Sequence, residues 1–97
     1  MGNNNQINNT DYYRLPCGKY LEDFIYHKKL NFNMGSALKY KWRAGFKDGE
    51  SEEKDQNKSV HYIEFEAKCR NPIAPNKIEV IQEIDNLKKE AMVWTGV

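Results

Sequence analysis

The sequence predicts a small all-α domain of about four helices, completed by oligomerisation, and three observations predict it. Apolar residues recur at helical spacing in four separate stretches, as amphipathic helices require. The one alternating stretch, His61 to Ala67, is flanked by Lys, Gln and Glu rather than by turn residues, so strands fit poorly. The chain has 97 residues, 39% of them hydrophobic, and a net charge of +1, which is the size and balance of one folded domain. Leu, Ile, Val and Phe together number only twenty, close to the composition at which a short chain struggles to bury enough apolar surface alone. A core that thin is commonly finished by a second subunit, so a homo-oligomer is expected.

Residues 1–10 are rich in Asn and carry almost nothing apolar, so they read as a disordered tail that cannot offset its own conformational entropy. Residues 11–70 read as the helical core. The first helix is expected from Gly18 to Lys29, with Tyr20, Leu21, Phe24 and Ile25 as its apolar stripe. A second begins at Asn31, a suitable N-cap, and runs to about Phe46, where Lys47-Asp48-Gly49 supplies a turn. The third spans about Glu52 to Lys68 with Val60, Ile63 and Ala67 on one side. Residues 71–97 form a Pro-containing linker and a fourth helix, from about Lys77 to Ala91. Its Val80, Ile81, Ile84, Leu87 and Ala91 lie at near-heptad spacing, and make it an oligomerisation element or a helix that folds back on the domain.

Several classes of function are excluded or left without support. No apolar run is long enough to span a bilayer, and the Asn-rich start lacks the apolar centre of a signal peptide, so a cytoplasmic protein without membrane contact is expected. Cys17 and Cys69 lack the paired spacing of a zinc site, and neither His27 nor His61 has a second ligand near it, so no metal is assigned and both thiols are expected to be free. Neither a G-x-x-x-x-G-K-[ST] loop nor G-x-G-x-x-G is present, and Gly18-Lys19 is only a fragment of the former. The acids Glu22, Asp23, Glu52, Glu53 and Asp55 offer the hard oxygens that Mg²⁺ takes, although a solvated acidic surface explains them more simply. No triad is defined around Cys17 or Ser36.

The distribution of charge is more informative than its sum. Between Phe24 and Lys47 there are six Lys or Arg and no acid, whereas Asp48 to Asp55 holds five acids and one Lys. At 100° per residue the second helix sets Met34, Gly35, Leu38, Trp42 and Gly45 on one side. Asn33, Ser36, Tyr40, Arg43 and Lys47 fall within about 80° on the other. That face offers a planar guanidinium for bidentate phosphate contacts, ammonium point charges, amide and hydroxyl groups, and a ring on which a base can stack. Asp55, Lys58 and Tyr62, at i, i+3 and i+7 of the third helix, form a second one-sided set that can meet the first. A plain solvated helix face has much the same composition. Gly35 and Gly45 each cost about 1 kcal/mol of helix stability relative to Ala, so another helix is expected to approach closely there. General nucleic-acid binding is not expected, because the basic surface covers one helix and an acidic stretch adjoins it.

Leu15-Pro16-Cys17-Gly18-Lys19-Tyr20-Leu21-Glu22-Asp23, followed by Asn33 to Lys47 (NMGSALKYKWRAGFK), resembles a family of small helical phage proteins of unassigned function that includes a phage nucleotide kinase without a recognisable ATP loop. The likeness runs from about Tyr12 to Ala67. Carried over by position, it emphasises Asn33, Lys39, Tyr40, Arg43, Gly45 and Lys47, then Asp55, Lys58 and Tyr62. These overlap the face obtained from helical geometry. The phage origin that the resemblance implies, together with a basic site without evident catalytic equipment, suggests a phage-encoded protein that binds a nucleotide, a cyclic nucleotide or a nucleotide-derived immune signal, sequestering it to counter host defence. The resemblance itself implies the alternative, a nucleoside monophosphate kinase with ATP and Mg²⁺ as its cofactors. A protein inhibitor of a host defence factor is a third.

Overall fold

The computed structural model describes residues 12–44 and 49–97. Among them are four helices: α1 (Leu21–His27), α2 (Phe32–Ala44), α3 (Gly49–Arg70) and α4 (Lys77–Val93). Extended pairing among the described residues is confined to one isolated bridge between Arg14 and Tyr20. The protein is all-α. The expected tail, Gly45 and the turn at Lys47-Asp48 lie outside the described residues.

The first helix starts later than its apolar stripe predicts. Leu15-Pro16-Cys17-Gly18 is a β-turn, closed by the Gly18 N–H donating to the Leu15 carbonyl at 2.9 Å, with Gly18 at φ +98. Proline suits the second position of such a turn, and the positive φ cannot continue into a helix. So Gly18 serves a turn and not a phosphate loop. The chain enters α1 only at Leu21, where the Asp23 carboxylate accepts the Tyr20 N–H at 2.9 Å. Leu15 folds under α1 into the core, and the Trp42 indole N–H donates to the Tyr12 carbonyl at 2.8 Å. The turn is thereby tied to α2.

α2 is the centre of the molecule. Asn31 caps it by accepting the Met34 N–H at 2.8 Å. Met34, Gly35, Ala37, Leu38, Trp42 and Ala44 are buried, against α1 on one side and α3 and α4 on the other. A Cβ on Gly35 would stand 3.2 Å from Ile25 Cγ2, so this glycine lets α1 come close, as its place on the apolar side predicts. α3 runs antiparallel to α2: Glu66 meets Asn33 near the start of α2, and Asp55 meets Arg43 near its end.

The inner face of α3 differs from the expected one. Ile63 and Ala67 are buried, but Val60 is 43% exposed, and Asp55, Ser59 and Glu66 turn inward instead. Each has a partner to face: the Ser59 hydroxyl donates to the Ala37 carbonyl at 2.8 Å, Asp55 faces Arg43, and Glu66 accepts from Asn31, Asn33 and Arg70. A helix whose inward groups find such partners can bury polar residues and leave a valine at its edge. α4, capped by Asn76 accepting the Glu79 N–H at 3.2 Å, folds back on the domain. Val80, Ile84, Leu87 and Ala91 are buried in the same core as Phe24, Leu38 and Ile63, and Ile81 packs at its edge. The heptad seam is therefore filled within one chain. No described helix is long and apolar enough to cross a membrane.

Candidate functional site

The arc of α2 left uncovered by the other helices carries Lys39, Phe32, Arg43, Ser36, Tyr40 and Asn33 in angular order. α3 brings Asp55, Lys58 and Tyr62 alongside it, so the two polar sets inferred from sequence do meet. They form a continuous face. The Tyr40 and Tyr62 rings lie parallel within 3°, their centroids 6.0 Å apart. Lys58 Nζ stands 5.2 Å from the Tyr40 centroid, a cation–π distance, and no carboxylate pairs with it among the described residues.

The other predicted residues divide by what they touch. Arg43 Nε approaches Asp55 Oδ2 at 3.3 Å; the carboxylate is buried, while the guanidinium is about one-third exposed. Neither atom has a well-formed hydrogen bond, so the pair is held by charge and not by a good N–H···O angle. The Nη groups of Arg43 have no partner among the described residues. Lys39 is shared between the Tyr13 ring, 5.2 Å away, and Glu22, at 3.6 Å. Asn33 points its amide at Glu66, 3.2 Å away, so that side chain serves the α2–α3 interface. Ser36 sits half-buried on the arc. Lys47 lies outside the described residues.

One end of the face is fastened by a charged cluster. Burial alone would raise the Glu66 carboxyl; hydrogen bonds from Arg70, Asn33 and Asn31, with the charge of Arg70, outweigh it and hold the group below its ordinary value of 4.5. Arg70 Nη1 and Nη2 also grip both oxygens of Glu83, at 2.7 and 2.9 Å. That bond lowers Glu83 and raises Arg70 beyond its ordinary value. The cluster ties α2, α3 and α4 together.

Three rings on this face are absent from the sequence-derived set. Phe32 meets Tyr62 edge-on at 5.6 Å and 81°, His61 meets it at 5.2 Å and 77°, and Phe65 lies parallel to His61 at 6.4 Å. The signal was available in the 3–4 spacing of Lys58, His61 and Phe65. Reading α3 from its aliphatic residues hid it. The acids considered for Mg²⁺ do not converge: no group of three or more His, Cys, Asp or Glu side chains among the described residues could hold a metal ion. Both cysteines are free. Two grooves lie elsewhere. One of about 950 Å³ runs along α1 past Tyr26, His27 and Trp94, and another of about 420 Å³ is bordered by Lys41, Val60, Ile63 and Ile81.

Residues 18–64 match a family described as a protein of unknown function (DUF3310). The match covers just under half of the chain. It takes in Gly18, all of α1 and α2 and most of α3, hence Arg43, Asp55, Lys58 and the Tyr40–Tyr62 pair, and leaves Phe65 and α4 outside. No curated protein and no solved structure matches the chain.

Proposed function

We propose that this protein binds a nucleotide or nucleotide-derived signal on the α2/α3 face, with the base on Tyr40 or Tyr62 and phosphate on Arg43, Lys58 and Lys39. The observation that carries this reading is the Arg43–Asp55 pair beside the parallel tyrosines. Asp55 takes the Nε edge of the guanidinium, so the two Nη groups are left for the bidentate contact that phosphate oxygens accept. Lys58, poised over Tyr40, adds a mobile charge where a phosphate attached to a stacked base would lie. Such a face needs only complementarity to act. The likeness to phage proteins makes sequestration of a host immune signal, in the cytosol of the infected cell, the role this binding would serve. A nucleotide kinase would need a donor site and Mg²⁺ aligned with the acceptor as well.

The test is to incubate the purified chain with mono-, di- and cyclic nucleotides, with and without ATP and Mg²⁺, and to recover the ligand. Intact recovery is expected. A phosphorylated product would replace binding by catalysis, and no binding to any member of the panel would refute the reading and leave a protein partner. Arg43→Ala is a poor probe, because it strands the buried Asp55 carboxylate. Arg43→Lys keeps a charge beside Asp55 and removes the fork. Together with Lys58→Ala it should weaken binding by about tenfold or more, 1.4 kcal/mol in free energy, with helicity unchanged by circular dichroism.

A further inference from the structure

We infer that this face takes a single-stranded polynucleotide, its bases stacked along the rings and its phosphates on the flanking cations; the inference rests on the nucleotide-binding reading and extends it. A mononucleotide would use the corner formed by Tyr40, Lys58 and Arg43. The face is larger than that corner. Tyr62 joins Tyr40 to Phe32 and His61, and His61 joins Phe65, so five rings form one connected surface. Phe32 is 74% exposed and Phe65 52%. Large rings left in water on the same face as cations are the elements of single-strand recognition, because every base has a π-face to stack and every linkage a charge to neutralise.

The charges are arranged to match. Lys58, His61, Phe65 and Lys68 fall within about 80° along α3 and are all exposed. α2 contains no acid. From Glu52 onward most acids of α3 are kept off this strip: Glu52 and Glu53 project from other sides of the helix, Asp55 and Glu66 are buried under it and paired, and Glu64, one turn before Lys68, borders it and is paired with Lys77. Glu22, beside Lys39, borders the strip at the α1 edge. Of the acidic stretch that adjoins the basic one in chain order, the described acids Glu52, Glu53 and Asp55 are thus turned away from the strip. From Lys58 to Lys68 the helix rises about 15 Å, the length of about four stacked nucleotides.

Fluorescence anisotropy of the full chain with labelled oligothymidylates and oligouridylates of increasing length, competed by AMP and ATP, tests the inference and distinguishes DNA from RNA. Affinity should tighten by about tenfold or more between a dinucleotide and an octanucleotide. It should fall with salt at a slope near −2, as release from about three single-strand phosphates gives. Phe65→Ala and Lys68→Glu, both at exposed positions, should each weaken octanucleotide binding about fivefold or more with the melting temperature unchanged. Octanucleotides bound no tighter than AMP would overturn the inference and leave the nucleotide reading standing; failure of both ligands would overturn both. Equal affinity for polyphosphate or polyglutamate, which have charge but no bases, would also overturn it, the second pointing to an acidic protein partner.

Discussion

Lys29 ends α1 at φ +55, in the left-handed region that L residues enter at a cost of about 1–2 kcal/mol. The Leu30 N–H reaches back to the Ile25 carbonyl at 3.2 Å and the Lys29 N–H to that of Tyr26 at 3.0 Å, the hydrogen bonds of a Schellman motif that glycine usually closes. Lys29→Gly should therefore stabilise the fold by up to about 1 kcal/mol, read from the denaturant midpoint at constant slope. A second single-residue effect belongs to acid. Glu66 and Glu83 have carboxyls depressed in the folded state, so the stability they supply is present above about pH 4.5 and is lost as pH falls through their folded values. The melting temperature should drop on acidification below pH 4.5. Arg70→Ala, which removes the donor common to both groups, should flatten that dependence. A steeper acid loss in the variant would show the cluster to be incidental.

At the scale of elements, two pairings position the candidate site: α2 against α3, which aligns the tyrosines, and α4 against both, which backs them. Ser59→Ala removes the hydrogen bond to the Ala37 carbonyl and should cost about 1 kcal/mol. Ile84→Ala empties a fully buried position and should cost about 2–5 kcal/mol, both measured by chemical denaturation. Helix existence was legible in the spacing of apolar residues, and Asn31 marked the start of α2. α1 starts at Leu21 and not at Gly18 because the residues before it form a turn whose geometry depends on Pro16 and Gly18 acting together. The inner face of α3 was misread for a different reason. A buried Ser, Asp or Glu is decided by the partner that satisfies it, and of the partners Ala37, Arg43 and Arg70 the first two stand far along the chain from Ser59 and Asp55; only Arg70 to Glu66 is local.

On the scale of the whole molecule, α4 lies beyond the matched residues 18–64, yet four of its side chains complete the core that includes Phe24, Leu38 and Ile63. A chain ending at Arg70 should lose cooperative thermal unfolding, because the apolar faces of α2 and α3 would stand open; a sharp melt in that truncation would show α4 to be an appendage. Spacing along the chain was enough for the helical class, the cap of α2, and the grouping of Arg43, Ser36 and Tyr40 on one face, since each depends on neighbours within a turn or two. Packing between helices decided that Asp55 is buried against Arg43 and that Phe32, His61 and Phe65 extend the tyrosines. Those are relations between helices, and spacing along one helix cannot say which of its sides another will cover.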